Sequence, residues 1–230
     1  MSQTLHRPTA SNGASASRTP ERVIPVVLDL GLSSPQKPVK TAEEGAAFLG
    51  LCGAMLRTTP GAPAGALRAL EMLRAQGWRS APVLAGQSAE TLAQLLREAG
   101  YNGHALPLAR RLKAMAAYLA ETWEGTPEAL RQAAGAQVPA LRRLLRKIPG
   151  LGEAAVDSFC QDMQVIWIEL YPFAEPRALR AARRLRLGLG QDAAALAGNC
   201  APEELPRLAA ALAQIERRDD YAVLTRRLSA

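Results

Sequence analysis

Leu145-Arg146-Lys147-Ile148-Pro149-Gly150-Leu151-Gly152 is the one unusual punctuation in a chain that otherwise reads as helix, and apolar segments flank it on both sides. In an apolar-Pro-Gly-apolar-Gly turn between two helices, Pro149 fixes one backbone angle, and the pattern predicts that Gly150 and Gly152 adopt angles closed to other residues. The helix that follows, starting at Glu153, presents unpaired amides and the positive end of its dipole. Such an end binds a phosphate oxygen without reading a base. Ile148, Pro149, Gly150, Leu151, Gly152 and Glu153 are therefore candidate phosphate-binding residues. Arg142, Arg143, Arg146 and Lys147 add charge just before the turn, which would make binding salt-dependent. An ordinary helix-Pro-Gly-helix connection is the alternative origin of the same turn.

Outward from the turn the pattern stays helical. Ala, Leu and Arg dominate, aromatic residues are only 4%, and no run shows the β-branched alternation of a strand. The chain is expected to be all-α. Gly and Pro divide it into candidate helices at Thr41 to Arg57, Ala64 to Gln76, Ser88 to Ala99, Pro107 to Glu121, Thr126 to Ala134, Pro139 to Lys147, Glu153 to Leu170, Pro176 to Leu187, Gln191 to Ala197 and Glu203 to Ile215, with a weaker one near Tyr221 to Leu228. Thr41 with Glu44 three residues on resembles a capping box. Residues 1–22, rich in Ser, Thr, Ala, Pro and Arg, predict a disordered basic arm. Pro25 and the cluster Ser33 to Pro38 break the short segment Val26 to Leu32. No period of repeat length recurs, so a solenoid is disfavoured.

The whole composition bounds the function. Over 230 residues, 28 Lys and Arg against 21 Asp and Glu leave a net charge of +7, which favours a polyanionic partner. A hydrophobic share of 48% suffices for one large core or two small ones. The longest apolar stretch, Val23 to Leu32, contains Pro25 and Asp29 and falls short of the roughly 20 residues of a membrane span. The amino terminus lacks the apolar core of a signal peptide, so a cytoplasmic protein is expected. Cys52, Cys160 and Cys200 are odd in number and widely spaced, which fits neither a disulfide framework nor a four-thiolate site.

The turn carries the helix-hairpin-helix signature, and the residues around it extend the likeness. Gly100-Tyr101 and Leu108-Ala109-Arg110-Arg111-Leu112, within Ala85 to Leu119, are similar to a "Gly-Tyr/Phe, Lys-Ala, Leu" pattern of endonuclease III-like DNA glycosylases, with Leu108 in place of the usual Lys. Phe48 to Thr59 is similar to the family helix ending in "Leu-Ser-x-Gln-x-Thr", and Glu175 to Leu185 matches the spacing of "Asp-x-x-x-x-Arg-x-x-x-Arg-Leu". The chain thus resembles the helix-hairpin-helix DNA glycosylase superfamily over Thr41 to Leu189, in the right order.

The resemblance implies two helical domains flanking a cleft. Residues 41–170 would form a barrel-like domain with its hairpin at 139–165, and 23–40 plus 171–230 would form the second. It also implies a monomer that binds double-stranded, damaged DNA and takes a base out of the stack to break its glycosidic bond. The family's catalytic Asp aligns with Glu175, whose alternative reading is an acid at a helix N-terminus before Pro176. The Lys that gives bifunctional members their lyase activity aligns with Ala154, so a monofunctional hydrolase is expected. Where the family often places a Gln to fill the gap left by the base, Arg57 stands, equally readable as a charge at a helix C-terminus. No cofactor is expected, since only Cys200 follows Gly188 and a four-cysteine iron–sulfur loop cannot form. The rival readings are a non-catalytic DNA-binding protein on the same scaffold and a generic helical interaction protein.

Overall fold

Apolar residues recur at helical spacing along most of the chain, and in the computed structural model these runs fold as helices that bury their apolar faces. Residues 19–31, 44–61, 64–187 and 192–229 are described. In chain order the helices are α1 (Pro20–Gly31), α2 (Ala46–Thr58), α3 (Gly65–Ala75), α4 (Ala81–Ala85), α5 (Ala89–Ala99), α6 (Ala105–Thr122), α7 (Pro127–Ala133), α8 (Val138–Leu145), α9 (Glu153–Met163), α10 (Pro176–Leu185), α11 (Ala193–Ala197), α12 (Leu205–Arg218) and α13 (Tyr221–Ser229). A short 3-10 turn, Ile168–Leu170, follows α9, and no strand occurs among the described residues. The protein is all-α. Ser88, Thr126 and Asp192 cap α5, α7 and α11 by accepting a bond from a first-turn amide. Proline at the first or second position opens α4, α7, α8, α10 and α12, where a missing N–H costs nothing.

Two buried clusters hold these helices together. The first runs from Ala47 to Leu170 and is built on α2, whose residues from Ala46 to Leu56 are all buried. Helices α3 and α9 pack on α2, while α6 lies against α4 and α5. A Cβ at Gly50 would stand 3.1 Å from the Met163 sulfur, so glycine here lets α2 and α9 close on each other. The second cluster gathers Val23 and Val27 of α1 with apolar residues from Ala174 to Leu224. Helix α12 is its centre, contacted by α1 and α10, and it also touches α9.

Four features depart from the sequence expectations. First, the arm read as reaching Arg22 yields to helix at Pro20, residues 1–18 lying outside the described residues. Pro25 sits inside α1, a defect of about 3 kcal/mol in an isolated helix. Val23 and Val27, one turn apart and fully buried, offset it at roughly 1.5–3 kcal/mol each. Second, α2 starts at Ala46, and Thr41 of the expected capping box lies outside the described residues, as does Gln191. Third, the helix expected over Glu153 to Leu170 ends at Met163. The Gln164 side chain there bonds the backbone of Phe173 instead of facing solvent. Fourth, α4 has no counterpart among the expected helices, because five residues carry too little periodicity to register.

Candidate functional site

Leu141 and Leu145, a turn apart and fully buried, press α8 onto the first cluster, and Ile148 and Leu151 of the following turn are buried beside them. The amides of Arg146, Lys147, Ile148 and Leu151 all bond to carbonyls three or four residues back, so residues 146–151 form a tight turn. Gly150 has φ +79°, the left-handed region that favours glycine. A Cβ there would lie 3.2 Å from both Arg111 Nε and Met55 Cε. Arg111 donates from Nη2 to the Gly150 carbonyl at 2.7 Å, fastening the turn to α6. Gly152 departs from expectation: its φ is −75°, open to any residue, and a Cβ would meet nothing within 4 Å. Its carbonyl accepts the Ala155 and Val156 amides. Glu153 and Ala154, in the first turn of α9, are exposed, and first-turn amides have no partner within the helix.

The cations before the turn divide into two pairs. Arg142 Nη2 reaches Glu153 Oε1 at 2.8 Å and Asp157 Oδ1 at 2.6 Å, and Arg146 Nη1 reaches Glu153 Oε2 at 2.9 Å. These bonds clamp α8 to α9 across the turn. Arg146, then Arg142, holds the Glu153 carboxyl below the ordinary range. Burial works against the charge of Arg142, yet Asp157 and Glu153 together keep it firmly protonated. Its guanidinium also lies 5.4 Å from the Phe173 ring centre. Arg143 and Lys147 are exposed. Arg57 donates to Ser158 at 3.1 Å and pairs with Asp162, so it bridges α2 to α9. Burial raises the Asp162 carboxyl despite that partner.

Asp157, Gln161 and Gln164, spaced four and three residues apart, lie on one face of α9 and its C-terminal turn. With Glu175 they are the buried polar or charged side chains among the described residues. Gln161 and Gln164 bond the segment joining the two clusters, where Glu175 lies, and Asp157 acts on Glu175 by its charge. Gln164 donates to the Phe173 carbonyl and accepts the Phe173 amide, both at 2.9 Å. Gln161 Oε1 accepts the Glu175 amide at 3.3 Å. Glu175 is thereby seated as the N-terminal cap residue of α10, although its carboxylate makes no capping bond. It is only 9% exposed. Burial raises its carboxyl, Arg217 and Arg177 lower it, Asp157 raises it and Arg180 lowers it. A carboxyl so placed exchanges protons closer to neutrality than an ordinary glutamate does.

The two halves of the sequence-predicted set are therefore joined through one helix. The turn opens α9, and the polar face of α9 seats Glu175. Arg57 stands at the other side of α9, on Asp162. Motifs do not single out Gln161, Gln164 and Asp157, although polar residues at helical spacing in an apolar helix are a visible signal in the sequence. Among the described residues no group of three or more His, Cys, Asp and Glu side chains is placed to hold a metal ion. No helix there is long and apolar enough to cross a membrane. The chain matches no protein-family model and no curated protein sequence.

Proposed function

We propose that this protein binds duplex DNA through the 146–153 turn, read as a helix-hairpin-helix, and hydrolyses the N-glycosidic bond of a damaged base with Glu175. The observation that carries the reading is the seating of Glu175, a buried carboxylate at the start of α10 tied by Gln161 to the helix that the turn opens. The amides at the head of α9 would hold a phosphate oxygen. An extruded nucleotide would then lie between the two helical clusters with its sugar toward Glu175. As the bond from C1′ to the base nitrogen breaks, its electrons leave with the base and positive charge builds on the sugar. The ionised Glu175 carboxylate stabilises that charge and takes a proton from the water that adds to C1′. Burial raises the Glu175 carboxyl overall, and Arg217 and Arg177, which lower it, work against that toward the ionised form this step needs. Ala154 offers no amine for strand cleavage.

A second reading, a non-catalytic DNA-binding protein on the same scaffold, is favoured by one observation: Arg57 is engaged by Asp162 and Ser158. To fill the space of an extruded base it would first have to leave both. Incubation with duplexes carrying uracil, alkylated purines, oxidised pyrimidines or abasic sites separates the readings. The enzyme releases a base from at least one, and Glu175→Gln abolishes release while binding persists. Binding without release on every duplex establishes the second reading.

A further inference from the structure

The charge excess lies on both sides of the turn, nine cations between Arg142 to Lys147 and Arg177 to Arg186, and the structure shows which of them are already spent. On the turn side, Arg142 and Arg146 are held by Glu153 and Asp157, and Arg111 by the Gly150 carbonyl. On the other side, Arg180 is bonded to Glu216 at 3.0 Å. Arg184 reaches Asp219 and lies 3.8 Å from the Tyr221 ring centre, while Tyr221 donates to Glu216 at 2.5 Å. That network ties the exposed side of α10 to the end of α12. Two exposed arginines flank it: Arg177 in the first turn of α10, two residues beyond Glu175, and Arg217 in the last turn of α12, next to Glu216. Like Arg143, Lys147, Arg186 and Arg218, they have no hydrogen-bond or ion-pair partner among the described residues; what sets these two apart is their place beside Glu175, on whose carboxyl both act.

Resting on the DNA reading above, we propose that Arg177 and Arg217 are the cations that grip the duplex phosphate backbone beside Glu175. The turn's amides and this arginine pair would bracket the nucleotide presented to the carboxylate. An arginine with no direct ion pair to break gains more of its phosphate contact on binding, whereas Arg142 and Arg146 must first break theirs. The network beneath, Arg180 to Glu216 and Arg184 to Asp219, joins the two helices that carry Arg177 and Arg217.

The test is the salt dependence of affinity for an undamaged duplex, measured by fluorescence anisotropy on the full chain, with Arg177→Gln, Arg217→Gln and, as a remote change of equal charge, Arg97→Gln on α5. Each phosphate contact contributes a slope of about 0.9 in log affinity against log salt. Arg177→Gln and Arg217→Gln each flatten the slope by about that amount, and Arg97→Gln leaves it as it was. A steep wild-type slope that both variants retain overturns the assignment and leaves DNA binding standing. A wild type with no salt-dependent duplex binding, or one that prefers anionic vesicles to duplex, overturns both. Without DNA, the Glu175 carboxyl followed by carbon-13 NMR titrates at higher pH in Arg177→Gln and Arg217→Gln than in wild type. An unchanged titration removes these arginines from the site.

Discussion

A methyl group added at Gly150 and one added at Gly152 meet different surroundings, although the two glycines sit in one motif. At Gly150 the side chain enters a left-handed backbone angle and crowds Arg111 and Met55. The backbone cost alone is about 1–2 kcal/mol, and Arg111 must shift from the carbonyl it binds. At Gly152 the backbone angle is ordinary and the space is open, so Gly150→Ala lowers the urea midpoint clearly and Gly152→Ala by under about 1 kcal/mol, the scale of a helix-cap change. The open space at Gly152 lies at the head of α9, where the phosphate is proposed to bind. Gly152→Ala therefore folds normally and weakens duplex affinity. Equal affinities for wild type and Gly152→Ala would argue that no phosphate approaches these amides.

Among elements, the joint from α9 through residues 171–175 to α10 decides how Glu175 behaves with pH. Burial raises its folded-state carboxyl above the unfolded value. Stability from that group is therefore complete below the unfolded range near about 4.3 and is lost as pH rises through the folded value. Glu175→Gln removes the loss. The variant is at least as stable as wild type at pH 7, and the difference closes as the pH falls below the ordinary glutamate range. Glu153 and Glu169, both lowered by arginine partners, titrate alike in the two proteins and cancel in the difference. A variant markedly less stable at pH 7 would show that Arg217 and Arg177 outweigh the burial. The positions of α8, the turn and α10 could be read from sequence because proline, glycine and apolar spacing are local. The end of α9 could not, since Gln164 stops it by bonding Phe173, and the partner of Arg57 could not, since Asp162 lies 105 residues away. Pairings of that kind are decided by tertiary packing, to which a local pattern is blind.

At the scale of the molecule, the two buried clusters differ in how the chain supplies them. The first is continuous from Ala47 to Leu170, whereas the second needs α1 to return to helices that begin about residue 176. That long closure explains why the sequence around α1 reads as arm and break: its stabilising partner, α12, is far away in sequence. It also makes α1 the natural place to weaken one cluster alone. Val27 is fully buried there, and Val27→Ala removes two methyls and leaves a cavity, at about 2 kcal/mol. If the clusters open as separate cooperative units, native-state hydrogen exchange accelerates in α1, α10, α12 and α13, while amides of α2, α5 and α6 keep their protection. Because α10 carries Glu175 and α12 carries Arg217, the same loosening reaches the proposed site from the side opposite the turn. Acceleration spread evenly over both clusters would mean that the contact of α12 with α9 and the bonds of Gln161 and Gln164 couple them into one unit, and the site would then be only as mobile as the whole fold.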